Sequence, residues 1–166
     1  MEIEKKYRIL QLPDHLEQYP CRIIEQAYLC ANPTVRIRRS NEDYILTLKD
    51  KQGVADLQSD NAGIVNREIE IPLSREAYEH LKSKQDGYTI EKRRYLIPLS
   101  DGLTAELDVF GGRLEGLCFA EVEFPDIATA QKFLPPSWMG EEVSDDPRYR
   151  NTTLSELKQY NADFFT

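Results

Sequence analysis

The chain has 166 residues, 40% hydrophobic and 30% charged, which is enough apolar material for one buried core. A formal net charge of −8 and a pI near 4.9 argue against generic nucleic-acid binding, which draws on a basic surface to displace counterions. Cys21, Cys30 and Cys118 are dispersed and odd in number, supporting neither a disulfide framework nor a zinc site. With no signal-peptide pattern and no apolar run approaching the roughly 18 residues of a membrane span, the expectation is one soluble, cytoplasmic domain over residues 1–166, without membrane or nucleic-acid partners, as a monomer or homodimer.

Alternating patterns predict strands at residues 2–9, 22–30, 34–40, 43–50, 65–72, 88–98, 103–110 and 117–124. Turn signals such as Asn41-Glu42-Asp43, Ser100-Asp101-Gly102 and Gly111-Gly112 punctuate them. Eight strands suffice to close a barrel. Helices are predicted at 13–19, from Ser74 as N-cap to Lys84, at 126–134 with Asp126 as cap, and near Thr152. The second of these carries Ala77, Tyr78 and Leu81 as its apolar face and, with the 126–134 helix, would cover an apolar outer surface. Residues 51–66 are polar and contain glycine, and read as a long mobile loop bearing Asp56 and Asp60.

Seven segments place charges at alternate positions. They are Glu2-Ile3-Glu4-Lys5-Lys6, Arg36-Ile37-Arg38, Thr47-Leu48-Lys49, Glu68-Ile69-Glu70, Lys92-Arg93-Arg94, Glu106-Leu107-Asp108 and Glu121-Val122-Glu123. Residues two apart on a strand share a face. A solvated antiparallel face alternates in the same way, but it should mix signs, since like charges side by side repel. Here five of the segments carry paired charges of one sign: carboxylates at Glu68/Glu70, Glu106/Asp108 and Glu121/Glu123, cations at Arg36/Arg38 and Lys92/Arg94. Turned inward, Glu2, Glu4, Glu68, Glu70, Glu106, Asp108, Glu121 and Glu123 would meet Lys6, Arg8, Arg36, Arg38, Lys49, Lys92 and Arg94 in a cavity too charged to be dry. Paired carboxylates supply hard oxygen ligands for Mg2+ or Mn2+, and arginine forks and lysines suit phosphate oxygens. Together these are the electrostatic parts of phosphoryl transfer.

The segment Glu2-Ile3-Glu4-Lys5-Lys6 resembles the ExExK signature of the CYTH superfamily, the triphosphate tunnel metalloenzymes, which include tripolyphosphatases, thiamine triphosphatases and class IV adenylyl cyclases. The likeness continues in order through Gln26-Ala27-Tyr28-Leu29, Val35 to Arg38, Tyr44 to Lys49, Glu68 to Glu70, Glu91 to Tyr95, Glu106 to Phe110 and Ala120 to Phe124, and closes with Gly140 to Asp146 and Arg148 to Asn151. It is strongest to the short bacterial members that hydrolyse inorganic triphosphate. The resemblance implies an α+β, mainly β fold: an eight-stranded antiparallel closed barrel with a few flanking helices, acting as a metal-dependent triphosphatase. It implies that Glu2, Glu4, Asp108, Glu121 and Glu123 hold Mg2+ or Mn2+, and that Lys6, Arg8, Arg36, Arg38, Lys49, Lys92 and Arg94 hold the triphosphate. Glu68, Glu70 and Glu106 are further acidic tunnel positions. Tyr28 and Lys6 are rival candidates for the catalytic base, and an unperturbed tyrosine with a pKa near 10 is a poor one.

Three departures stand out. Asn66 occupies a place often held by an arginine in relatives, and Arg67 has the opposite strand parity. The 51–66 loop is long, and Pro147 stands near a position that is often basic. His15 and His80 lack metal-ligand spacing, Gly111, Gly112 and Gly116 form no phosphate loop, and Trp138 after Pro135-Pro136 reads as a packing residue. Rival functions are hydrolysis of thiamine or nucleoside triphosphates, cyclic AMP synthesis, and a catalytically silent polyphosphate- or nucleotide-binding module.

Overall fold

A computed structural model describes residues 1–51 and 61–166. Asp56, Asp60 and most of the predicted 51–66 loop lie outside the described residues. Among the described residues nine strands form one sheet: β1 (Glu2–Ile9), β2 (Cys21–Cys30), β3 (Thr34–Ser40), β4 (Asp43–Asp50), β5 (Ile64–Pro72), β6 (Asp86–Pro98), β7 (Thr104–Phe110), β8 (Cys118–Glu123) and β9 (Met139–Glu142). The order is β5-β4-β3-β2-β6-β7-β8-β1-β9, and an additional β5–β1 pairing closes the first eight into a barrel. Every pairing is antiparallel.

Closure depends on how β1 divides its free edge. Glu2 to Glu4 pair with Asn66 to Ile64 of β5, while Tyr7 and Ile9 pair with Glu142 and Met139 of β9. The chain enters β5 through Gly63, at φ +78°, where an added Cβ would lie 2.2 Å from the Glu4 carbonyl oxygen. Only glycine tolerates both that backbone and that approach.

Helices cover two stretches of the outer face. On α1 (Arg75–Lys82), capped by the Ser74 side chain accepting from the Ala77 amide, Tyr78 packs with Ala27 and Ile37 of β2 and β3. On α2 (Ile127–Lys132), capped by Asp126, Ala130 joins Ile3, Tyr7, Leu107, Ala120 and Val122. A final helix, α3 (Asn151–Leu154), docks where β6 bulges at Gly87, the Tyr88 amide donating to the Ser155 carbonyl at 2.7 Å. Among the described residues no helix is long and apolar enough to cross a membrane.

Two expectations require correction. The predicted 13–19 helix is only a 3-10 turn at Leu16–Gln18, because His15 takes φ 57° before it and Pro20 disfavours a helical Tyr19 after it. The short β9 was not foreseen. Its four residues include Gly140 and two glutamates, too few to carry an alternation signal.

Candidate functional site

The alternation fixes which side chains enter the barrel, and the register stacks them in layers. Glu4 lies opposite Glu123, Lys6 opposite Glu121 and Arg8 opposite Phe119 across β1 and β8. Across β6 and β7, Arg94 faces Asp108 and Lys92 faces Phe110. The interior therefore runs from carboxylates at one end, through a mixed ionic layer, to aromatic rings at the other. Phe110, Phe119, Tyr149, Leu154 and Phe165 fill that second end as an apolar cluster built with the C-terminal segment.

Above the cluster lies a cavity of about 710 Å³. On the β1, β8 and β7 side the lining carries Glu2, Glu4, Glu121, Glu123 and Glu106, with Lys6 beside Glu121; on the facing β6, β2, β3 and β4 side it carries Arg94, Tyr28, Arg36, Arg38 and Lys49, and Glu68 and Glu70 of β5 also lie on the lining. Three expected site residues lie outside it. Asp108 is fully buried behind the wall, receiving Nε and Nη2 of Arg94 at 2.8 Å each and facing the Lys92 ammonium at 2.8 Å. Lys92 is buried with it. Arg8 points away from the cavity to the Tyr149 hydroxyl at 2.6 Å and to the Phe165 carbonyl. Asp108 is thus placed to hold Arg94 rather than to face the cavity, and Arg8 to hold the tail.

Ionic pairing on the walls is uneven. Arg94 also reaches Glu106 at 2.5 Å, and the Lys49 ammonium lies 2.9 Å from Glu2. Burial would raise the Glu121 pKa, but Lys6, Arg94, Lys92 and Lys49 outweigh it and hold the carboxylate ionised. Glu2 is pushed up to about 7 by burial and by neighbouring Glu68 against the pull of Lys49, and Glu4 to about 8 by burial and by Glu121. The acidic wall is therefore short of positive charge at its outer end.

The opposite wall has cations to spare. Arg36 is 6% exposed, donates to the Thr47 hydroxyl at 3.0 Å, and leaves its buried Nε without a hydrogen bond among the described residues. Burial and the adjacent Arg36 and Arg94 make the Arg38 charge costly, so an anion between them is favoured. Lys6 belongs to the acidic side instead, 3.8 Å from Glu121, donating to the Tyr149 carbonyl at 2.6 Å and lying 4.5 Å above the Phe119 ring. Burial raises the Tyr28 pKa against the pull of Arg36 and Arg38, so its hydroxyl remains protonated at neutral pH.

Among the described residues no three His, Cys, Asp or Glu side chains form a ready-made metal cage. The donor chemistry nonetheless fits a hard divalent cation. Glu2, Glu4, Glu121 and Glu123 are carboxylates on one cavity wall, and the undercompensated charge of Glu2 and Glu4 is what such an ion relieves.

Asn66 lines the cavity, whereas Arg67 turns outward to Asp50 at 2.8 Å, as its parity requires. Sequence reasoning missed Gln26, Ser144, Arg150 and Thr152. Gln26 was accessible from parity, two residues before Tyr28 on the same face. The tail residues follow no strand period and gave no such signal.

No family model matches the chain. It is 38% identical over 159 residues to an inorganic triphosphatase of Nitrosomonas europaea, spanning 93% of this chain and 96% of that protein. It is 36% identical over 156 residues to an inorganic triphosphatase of Acetivibrio thermocellus, spanning 92% of each. A crystal structure of an inorganic triphosphatase superposes with a TM-score of 0.67 at 34% identity, covering 96% of this chain and 97% of that one.

Proposed function

This chain belongs to the inorganic triphosphatases of the triphosphate tunnel fold, and from that premise we propose that it hydrolyses inorganic triphosphate to pyrophosphate and phosphate with Mg2+ or Mn2+. The observation that carries the reading is the facing of two walls in one cavity, carboxylates short of cations on one and cations short of anions on the other. A polyanion with bound metal completes both at once.

Glu2, Glu4, Glu121 and Glu123 would hold the metal. Bound there, it supplies charge neutralisation at phosphate oxygens. Arg36, Arg38, Arg94 and Lys6 bind and orient the chain of phosphoryl groups, and Lys49 bridges the walls through Glu2. Asp108 and Glu106 hold the Arg94 fork, fixing donors in position before substrate arrives. Hydrolysis adds one water across a phosphoric anhydride bond, and with a loose transition state the positioned cations do most of the work.

Tyr28 is the sole aromatic among the described lining residues and is only 4% exposed, which leaves no stacking platform for a nucleobase or thiamine ring. This supports inorganic triphosphate over nucleoside or thiamine triphosphates. The test is phosphate release from triphosphate, pyrophosphate, ATP and thiamine triphosphate, each with Mg2+, Mn2+ and Ca2+. The reading expects triphosphate to be turned over fastest with Mg2+ or Mn2+; equal or faster turnover of ATP would overturn the substrate assignment.

A further inference from the structure

Gln26 is wholly buried in the cavity wall, and each end of its amide is committed. Its Oε1 accepts from both Nε and Nη2 of Arg38, at 3.1 and 2.8 Å, and its Nε2 donates to the Tyr28 hydroxyl oxygen at 3.2 Å. Arginine carries only donors, so the amide has one workable orientation: turned over, it would set its NH2 against two N–H groups. The Tyr28 oxygen is consequently an acceptor within the wall. No other hydrogen bond of that hydroxyl is formed among the described residues, and Tyr28 lines the cavity. Its own proton is left for whatever occupies the space.

The register explains why one side chain can do both. Gln26 and Tyr28 are two residues apart on β2, on the same inward face, and their β3 partners are Arg38 and Arg36. Two arginines and a hydroxyl thus form one patch with the amide as its hub. Without that hub Arg38 would repel Arg36 and Arg94 with nothing to fix its fork, and the phenol could turn its proton back into the wall.

We propose that Gln26 is a positioning residue that locks Arg38 and Tyr28 into a single anion-binding unit and turns the Tyr28 hydroxyl outward as a hydrogen-bond donor to a phosphate oxygen of the substrate. This rests on the triphosphate reading above and deepens it: Tyr28 acts by donating to the phosphoryl chain, and it does so because Gln26 has filled its acceptor side.

Two substitutions separate this from a packing role. Gln26→Met removes both hydrogen bonds at similar volume. Gln26→Glu keeps an acceptor for Arg38, and therefore the buried pairing, but loses the donor to Tyr28 and offers the phenol an acceptor inside the wall. Calorimetric binding of inorganic triphosphate in chelator, where turnover does not intervene, is the first readout, and kcat and KM with Mg2+ are the second. Each variant should bind triphosphate roughly tenfold to hundredfold more weakly, the scale of a lost charge-assisted hydrogen bond. Gln26→Glu should also lower kcat without lowering the thermal midpoint. Tyr28→Phe should cost clearly less in the Gln26→Met background than alone, since both break one unit. If Gln26→Met fails to fold, Gln26→Glu carries the binding and kcat test. Wild-type affinity and kcat in the Gln26 variants, or a Tyr28→Phe cost equal in both backgrounds, would overturn the proposal while leaving the triphosphatase reading intact. Failure of the unaltered protein to bind or hydrolyse triphosphate would overturn both.

Discussion

The two ends of the barrel interior are made by the same strands and carry opposite chemistry. On β8 the inward column reads Phe119, Glu121, Glu123; on β7 it reads Phe110, Asp108, Glu106; on β6 it reads Ile90, Lys92, Arg94. About 13 Å of strand, four residues at roughly 3.3 Å each, separates rings packed against Tyr149 and Phe165 from carboxylates on an open cavity. Toward the closed end the buried Asp108 is fully engaged, by Lys92 and by Arg94 reaching in from the cavity lining. Charges at the open end have partners only in part. A buried charge without a partner is costly, and here the shortfall on each wall faces the other across the space where a ligand fits.

Substitutions at the two ends should therefore fail in different ways. Phe119→Ala removes a ring whose centroid lies 5.1 Å from that of Phe110, tilted against it, and 6.1 Å from that of Tyr149, edge-on. It should cost about 3–5 kcal/mol of stability in urea denaturation, the largest effect expected. At the open end Glu4→Gln should lower turnover roughly 10²-fold, the scale of one lost electrostatic contact in the transition state, while stability stays the same or rises. A fall in stability like that of Phe119→Ala would mean that Glu4 belongs to the packed end. Arg36→Ala should weaken calorimetric binding of triphosphate by about 1.5–3 kcal/mol, again with little change in unfolding. Unchanged affinity would place the unpaired Nε outside the binding surface.

The smallest effect belongs to the outer face, away from both ends. Burial opposes ionisation of Glu25, but Lys82 and the Tyr78 hydroxyl, each 2.8 Å away, hold its pKa below the ordinary value. The stabilisation this gives to α1 is present above the unfolded-state pKa and is lost as pH falls through the lower folded-state value. Between about pH 5 and 3 the wild type should lose slightly more stability than Glu25→Gln, measured by urea midpoints. Parallel loss in both proteins would remove this pair from the account.

Most of the barrel was legible because a period of two is written in charge as well as hydropathy. The residue 34–40 and 43–50 strands match β3 and β4, and β1 runs from Glu2 to Ile9 as expected. Parity also separated Asn66, which lines the cavity, from Arg67, which does not. What parity cannot give is height along the barrel axis. Arg8 shares the inward face with Glu4 and Lys6 yet ends at Phe165, and Asp108 shares it with Glu106 yet ends behind Arg94. Height follows from register between strands distant in sequence and from where the tail fills the barrel. Ser144, Arg150 and Thr152 reach the cavity for the same tertiary reason.

The central claim is that the open end is a metal and triphosphate site, and withdrawal of metal tests it most directly. Phosphate release from inorganic triphosphate should vanish when the purified protein is stripped with chelator, and should return in proportion to added Mg2+ or Mn2+. Undiminished release in chelator, with metal removal verified, would contradict the account.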